Sequence, residues 1–125
     1  MEYNVVGWFE IPVTNMDRAK KFYDTVFDIN ITVHDLDGLK MGWFPMAPNK
    51  SGATGSLVQH ENYVPSATAG SVLYFTSVDV ANELAKVVAA GGNILQDKKQ
   101  IGAGHGLMAL FIDSEGNRIA LHSQK

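Results

Sequence analysis

Six side chains in this chain are of types that could bind or transform a small molecule. They are Trp8, Glu10, Trp43, Tyr74, Arg118 and His122. Aromatic rings stack on flat ligands, a carboxylate can accept a proton, and a cation can stabilise a negatively charged oxygen. An aromatic wall with a few ionisable groups is the usual composition of a small-molecule pocket. We therefore predict that Trp8, Trp43, Tyr74 and Arg118 bind a ligand.

Glu10 and His122 are the two candidates for catalysis. Glu10 could be an acid, a base or a ligand-orienting carboxylate, and it could equally be an ion-pair partner of Arg118. His122 could be a base or a hydrogen-bond donor, and its alternative is a solvated surface histidine. Trp8 and Tyr74 could be plain core residues, but the positions facing the helices are already filled by other apolar side chains. We therefore assign both rings to a cleft.

A strand, a cap and a helix position the first of these residues. The segment from Trp8 to Val13 has apolar side chains at every second position, at Phe9, Ile11 and Val13, and this alternation predicts a strand. Asn15 is a suitable N-cap, because its side-chain oxygen can accept from the free amides of a first helical turn. The helix that follows has one apolar face, formed by Ala19, Phe22, Tyr23 and Val26.

The same unit returns in the second half of the chain. Residues 72–79 again predict a strand that ends in a cap, at Asp79. A second apolar helical face follows, formed by Ala81, Leu84, Ala85 and Val88. Asn15 and Asp79 are as far apart as Trp8 and Val72, so strand and cap repeat together. This spacing indicates two copies of one supersecondary unit that share a core.

Three further strands are predicted in each half. They cover residues 28–34, 39–44, 56–59, 93–96, 108–112 and 118–122. The prediction is one α+β domain over 1–125, with module one at about 4–60, a linker at about 61–70 and module two at about 71–123. Two βαβββ modules side by side would form an eight-stranded curved mixed sheet with the helices outside. The linker could be a lid, a partner contact or a plain connector.

The alternation also predicts which side chains face the cleft. Apolar side chains at Phe9, Ile11 and Val13 should pack under the helices, which leaves Trp8 and Glu10 facing the cleft. In the last strand, Ile119 and Leu121 should pack under the helices, and Arg118, Ala120 and His122 should face the cleft. A register shifted by one residue would bury Glu10 and Arg118, which is costly.

Composition excludes several classes of function. The chain has 125 residues, of which 46% are apolar and 18% charged, and this indicates a globular domain. A net charge of −3 without a basic block argues against nucleic acid as a partner. No apolar run approaches the roughly 20 residues that span a bilayer. The absence of cysteine excludes thiolate chemistry, and without a signal peptide we expect a cytoplasmic protein that does not bind membranes.

Two segments carry a family resemblance. They are Asn-Met-Asp-Arg-Ala-Lys-Lys-Phe-Tyr at 15–23 and Asp-Ser-Glu-Gly-Asn-Arg-Ile-Ala-Leu at 113–121. The arrangement resembles the vicinal oxygen chelate superfamily, which contains glyoxalase I, bleomycin-resistance proteins and extradiol dioxygenases. The resemblance covers nearly all of the chain. It implies paired βαβββ modules and commonly a homodimer, whose contact could use the exposed apolar groups at 41–46 and 63–65.

The resemblance also implies where a metal ion would bind. Family enzymes usually hold one divalent metal through His, Glu or Gln on the first and last strands of each module. The matching positions here are Trp8, Val72 and Ala120, with the fourth within 56–59. Gln59 could be one ligand, but tryptophan, valine and alanine side chains cannot ligate a metal. We therefore predict no metal and no cofactor.

These predictions support two functions of different classes. The first is a glyoxalase/bleomycin-resistance-like protein that binds a small, partly aromatic molecule without a metal in its aromatic cleft. The alternative is a glyoxalase-like lyase or isomerase that moves a proton next to a carbonyl. In that reaction Glu10 would be the base, and His122 or Arg118 would stabilise the enolate oxygen. Whether the chain is an enzyme stays open at this point.

Overall fold

The computed structural model describes residues 2–125 and contains two successive strand-helix-strand-strand-strand units. The first unit consists of β1 (Trp8–Val13), α1 (Met16–Phe27), β2 (Thr32–Leu36), β3 (Leu39–Trp43) and β4 (Thr54–Gln59). The second consists of β5 (Leu73–Thr76), α2 (Val80–Val87), β6 (Asn93–Gln100), β7 (Leu107–Ile112) and β8 (Arg118–Ser123). The predicted order of elements is therefore confirmed.

The eight strands form two four-stranded mixed sheets. The first sheet has the order β1-β4-β3-β2 and the second the order β5-β8-β7-β6, with one parallel pair in each. The predicted fold class of two βαβββ modules is thus confirmed. In the single chain the two sheets are not joined into one, because β1 and β5 lie at sheet edges and do not pair with each other.

Helix α1 begins and ends where its local chemistry dictates. The Asn15 side chain accepts from the backbone N–H of Arg18 at 3.0 Å, as predicted for an N-cap. Asp28 ends the helix in the left-handed conformation, with φ 53°. The carboxylate of Asp24 then accepts from the backbone N–H of Ile31 at 2.8 Å. Because residues 28–31 form this helix end, β2 begins at Thr32 and not at the predicted Asp28.

One hydrophobic core is shared by both modules. It contains the apolar faces of α1 and α2 together with the helix-facing side chains of both sheets. The Phe22 ring of α1 lies 5.9 Å from the Phe111 ring of β7. The Tyr23 hydroxyl, fully buried, donates to the Asp113 carboxylate at 2.6 Å. The modules therefore pack through the sides of the sheets that carry the helices, and each sheet keeps one face without a helix, here called its open face.

The predicted division of side chains between the two faces is observed. Ile11 and Val13 are each 1% exposed and belong to the shared core, and Ile119 and Leu121 are also buried there. Trp8 and Glu10 alternate with these core residues in β1, so both lie on the open face of the first sheet. No helix among residues 2–125 is long and apolar enough to cross a membrane.

Candidate functional site

Two tryptophans meet on the open face of the first sheet. The rings of Trp8 and Trp43 pack edge to face with their centroids 6.5 Å apart, and they are 39% and 36% exposed. Trp8 is on β1 and Trp43 on β3, and β4 runs between these two strands. The rings therefore reach toward each other across β4. A flat molecule could stack on such a pair.

A histidine that the sequence did not single out joins this pair. The His34 ring lies 4.2 Å from the Trp43 ring, centroid to centroid. The hairpin of β2 and β3 brings them together, because Asp37 and Gly38 both have positive φ and form a tight two-residue connection. The Asp-Gly pair in the sequence signals this hairpin, but the position of His34 beside Trp43 depends on its register.

Ser56 lies in the middle of the same face. In the sheet register it stands opposite Glu10 on one side and opposite Trp43 on the other. Its side chain is fully buried, and its hydroxyl has no hydrogen-bond partner among residues 2–125. A buried hydroxyl left without a partner costs about 1–3 kcal/mol. Ser56 therefore lacks a polar partner directly beside the two tryptophans.

Glu10 is held by the segment that links the modules. Its carboxylate accepts from the Tyr63 hydroxyl at 3.0 Å. This hydrogen bond and the negative charge of Glu10 raise the pKa of Tyr63 above its ordinary value. Among residues 2–125, Glu10 forms no ion pair with Arg118, so the structure does not contain that proposed partnership.

A cavity of about 350 Å³ brings three of the predicted residues together. Trp8, Glu10 and Arg118 all line it, and the residues near Ser66 in the linker form another wall. The backbone carbonyl of Ser66 accepts from the backbone N–H of Arg118 at 3.3 Å, which anchors this wall. The Nε atom of Arg118 is buried and has no partner among residues 2–125. A carboxylate and a cation thus face one cavity.

The remaining predicted residues lie on the second sheet. Tyr74 is 56% exposed on β5. His122 on β8 donates from Nε2 to the backbone carbonyl of His105 at 2.8 Å. Neither side chain lines the cavity that Trp8 and Arg118 share. In a single chain, Tyr74 and His122 therefore lie outside the cavity that holds Trp8, Glu10 and Arg118.

The structure also shows where the positions lie that correspond to metal ligands in the family enzymes. Trp8 is on the open face, Ala120 is fully buried, and Val72 directly precedes β5. Gln59 accepts from the backbone N–H of Met16 at 2.7 Å and supports the start of α1 on the helix side. Residues 2–125 contain no group of three His, Cys, Asp or Glu side chains that could hold a metal ion.

A larger cavity, of about 700 Å³, lies on the helix side of the sheets. Its aromatic floor consists of Phe9, Phe27, Phe44 and Phe75. The Phe75 ring lies 4.8 Å from that of Phe27 and 5.5 Å from that of Phe9. The sequence assigned Phe9 to the core and did not predict a cavity. This space, here called the phenylalanine cavity, is the rival location for a ligand.

Comparisons with known proteins agree with this architecture. The family model described as Glyoxalase/Bleomycin resistance protein/Dioxygenase superfamily matches residues 5–121. No curated protein matches the chain. Among solved structures, the fold is similar to TnmS3, an antibiotic binding protein from Streptomyces sp. CB03234, with TM-score 0.67 and 22% identity over 100% of this chain and 99% of that one.

Two further solved structures share the fold. A glyoxalase-related enzyme from Fulvimarina pelagi has TM-score 0.70 and 18% identity, covering 94% of this chain and 86% of that one. A glyoxalase I mutant from Zea mays has TM-score 0.69 and 16% identity, covering 94% of this chain and 45% of that one. The present chain thus spans less than half the length of the maize protein. At these identities the likeness concerns the fold.

Proposed function

Because the chain belongs to the Glyoxalase/Bleomycin resistance protein/Dioxygenase superfamily, we propose that it binds a small, partly aromatic molecule on the open face of its first sheet. The observation that carries this proposal is the exposed edge-to-face pair of Trp8 and Trp43. Large aromatic side chains left half-exposed on a sheet face, beside a carboxylate, are typical of ligand sites. The antibiotic-binding relative TnmS3 is a precedent for binding on this fold.

The proposed binding does not use a metal. Its support is the chemistry of the side chains at the family's ligand positions, Trp8, Val72 and Ala120, which offer no oxygen, imidazole or thiolate donor. On the strand beside Trp8, the side chains on the open face include the hydroxyls of Thr54 and Ser56. Neutral hydroxyls alone form a poor site for a divalent transition metal.

The proposed site is completed by a second copy of the chain. Tyr74 and His122 lie apart from the tryptophans within one chain, and the edges of β1 and β5 are not paired with each other. In a twofold dimer, the first sheet of one copy and the second sheet of the other could lie edge to edge. Tyr74 would then face Trp8 across the cleft, and the dimer would contain two equivalent sites.

Tryptophan fluorescence tests the location directly, because the two tryptophans of the chain both lie on this face. Aromatic compounds are first screened by thermal shift, and the compounds that bind are titrated while the emission is recorded. Stacking on Trp8 and Trp43 should quench the emission, and Trp8→Ala should weaken binding by about tenfold, given roughly 1.4 kcal/mol for a lost aromatic contact.

The matched control is Val78→Ala, which shortens an exposed apolar side chain at the phenylalanine cavity. This variant should bind with unchanged affinity. If Val78→Ala weakens binding while Trp8→Ala does not, the ligand occupies the phenylalanine cavity and the proposal is wrong.

The second candidate function is a lyase or isomerase reaction. It is favoured by one observation, that Glu10 and Arg118 line the same cavity, while the buried Nε of Arg118 has no hydrogen-bond partner among residues 2–125. Glu10 would remove a proton next to a carbonyl, and the guanidinium of Arg118 would stabilise the enolate oxygen. A glutathione hemithioacetal is the test substrate. Turnover that disappears in Glu10→Gln supports this candidate, and turnover that survives in Glu10→Gln removes the proposed base.

A further inference from the structure

We propose that the hydroxyl of Ser56, at the base of the ligand site, forms a hydrogen bond with the ligand. We propose further that this ligand is a flat aromatic molecule with a hydroxyl on its ring. The inference rests on the proposed function and specifies its ligand class. Ser56 is on β4, directly between the strands that carry Trp8 and Trp43. Its hydroxyl is fully buried and has no partner among residues 2–125.

The tryptophan rings account for the burial of Ser56. Strands separated by one intervening strand lie about 9.5 Å apart, yet the Trp8 and Trp43 ring centroids are only 6.5 Å apart. The rings therefore lean inward over β4. Ser56 stands directly opposite Trp43 in the register, and Trp8 lies opposite the neighbouring open-face residue Thr54. The pair of rings thus covers this part of β4.

A flat ligand can enter between these rings once one of them turns, because the rings stand nearly perpendicular, with 86° between their planes. Two parallel rings that enclose a third need about 7–8 Å between them, since carbon atoms pack at roughly 3.5–4.0 Å. The existing separation of 6.5 Å is close to this value. Both rings are partly exposed, so each has room to turn toward solvent. Parting the rings would uncover Ser56 and give its hydroxyl a partner.

The neighbours of Ser56 determine which group of the ligand it would meet. Glu10 stands opposite Ser56 on the neighbouring strand β1, and its carboxylate already accepts from the Tyr63 hydroxyl. An ionised carboxylate can accept further hydrogen bonds, and a serine hydroxyl can donate one. A ring hydroxyl can therefore accept from Ser56 and donate to Glu10 at the same time. A carbonyl oxygen could accept from Ser56, but it could not use Glu10.

The test compares two probes that differ by a single oxygen, 2-naphthol and naphthalene. Their affinities are measured by equilibrium dialysis with the wild-type chain and with Ser56→Ala. The wild-type chain should prefer 2-naphthol by about tenfold, the effect of one hydrogen bond to an otherwise unpartnered group. Ser56→Ala should bind naphthalene with unchanged affinity and should lose most of the preference for 2-naphthol.

Two controls separate this role from a structural one. Ser51→Ala makes the same change in an exposed loop, and it should leave both affinities unchanged. Ser56→Ala should keep or raise the free energy of unfolding, because it removes a buried hydroxyl that makes no hydrogen bond within the described residues 2–125.

The possible outcomes distinguish the inference from the proposed function. If Ser56→Ala keeps the full preference for 2-naphthol, or if the wild-type chain shows none, the inference about Ser56 is wrong while binding at the tryptophans stands. If neither probe binds, or if Trp8→Ala leaves both affinities unchanged, the tryptophan site itself is wrong and the inference fails with it.

Discussion

At the scale of single residues, Glu115 connects the two modules. Its carboxylate accepts from the backbone N–H groups of Thr14 and Asn15, each at 2.9 Å, and from Nε of Arg18 at 2.6 Å. The glutamate side chain is shielded from solvent, whereas that of Arg18 is half exposed. Burial alone would raise the pKa of Glu115, but the hydrogen bonds from Arg18, Asn15 and Thr14 lower it from 4.5 to about 2.

This lowered pKa predicts a loss of stability in acid. The stabilisation by Glu115 is fully present above pH 4.5, its pKa in the unfolded chain, and it is lost as the pH falls toward about 2, its pKa in the folded chain. We expect this group to contribute roughly 1–2 kcal/mol, a value reduced because Arg18 is solvated. Urea denaturation at pH 7 and pH 3 measures the loss.

The matched variants for this prediction are Glu115→Gln and Glu61→Gln. Glu115→Gln should lower the free energy of unfolding at pH 7 and should lose less of it at pH 3 than the wild-type chain does. Glu61 is exposed in the linker, and its replacement should leave the pH dependence unchanged. An equal loss in the wild-type chain and in Glu115→Gln would contradict the role assigned to this carboxylate.

At the scale of elements, a glycine in β4 allows the first sheet to pack. An added Cβ at Gly55 would lie 2.2 Å from the backbone oxygen of Phe9 and 2.6 Å from its Cγ atom. Phe9 occupies this space, and its ring centroid lies 5.2 Å from that of Phe44. Because the nearest atom is backbone, the clash cannot be relieved by a side-chain rotation alone. Gly55 therefore sets the spacing between β1 and β4 at one end of the sheet.

We predict that Gly55→Ala lowers the free energy of unfolding by roughly 2–3 kcal/mol, the usual cost of overpacking. Gly7→Ala is the control, since no atom lies within 4 Å of an added Cβ at Gly7. Chemical denaturation of both variants measures the difference. A Gly55→Ala protein as stable as Gly7→Ala would show that β1 and β4 can separate freely, and it would contradict the close packing of Phe9.

At the scale of the whole molecule, the position of Tyr74 and His122 outside the cavity of Trp8 and Arg118 bears on assembly. Strand β4 lies inside the first sheet, between β1 and β3, so both of its edges are paired. The strands at sheet edges are instead β1, β2, β5 and β6. Pairing of β1 with β5 of a second copy would cover two of these edges and would complete the proposed site.

A dimer is therefore predicted, with sites shared between copies. Sedimentation at micromolar concentration should give a mass of twice 13.6 kDa, and a mass near 13.6 kDa would contradict the dimer. A mixing experiment tests the sharing. Trp8→Ala and Tyr74→Ala should each bind weakly alone, but a mixture that exchanges subunits should contain some sites with both wild-type residues.

Recovery of tight binding in that mixture supports sites formed by two copies. If the protein is a dimer but the mixture binds no better than either variant alone, each site lies within one chain. The same experiment with Trp8→Ala and Trp43→Ala is the control, because both residues belong to the first sheet of one chain and no exchange can reunite them.

Local patterns in the amino-acid sequence were enough to predict the order of elements, the caps and the faces of the strands. Asn15 and Asp79 are helix caps, and Ile11 and Val13 lie on the buried side of β1, as predicted. These features depend on residues within a few positions of one another, because a cap binds the next turn and a strand alternates with period two. The segments at 15–23 and 113–121 were also enough to indicate the family.

How the parts of the candidate site meet depends on the packing of the folded chain. Tyr63 donates a hydrogen bond to Glu10, and the phenylalanine rings leave a cavity between the modules. The buried hydroxyl of Ser56, beside Trp43, has no hydrogen-bond partner among residues 2–125. The sequence could not show these features, since each depends on distances between side chains far apart in the chain. The sequence also could not show that two separate sheets surround one core. Both modules bury the same type of apolar face, and local periodicity does not specify which faces meet.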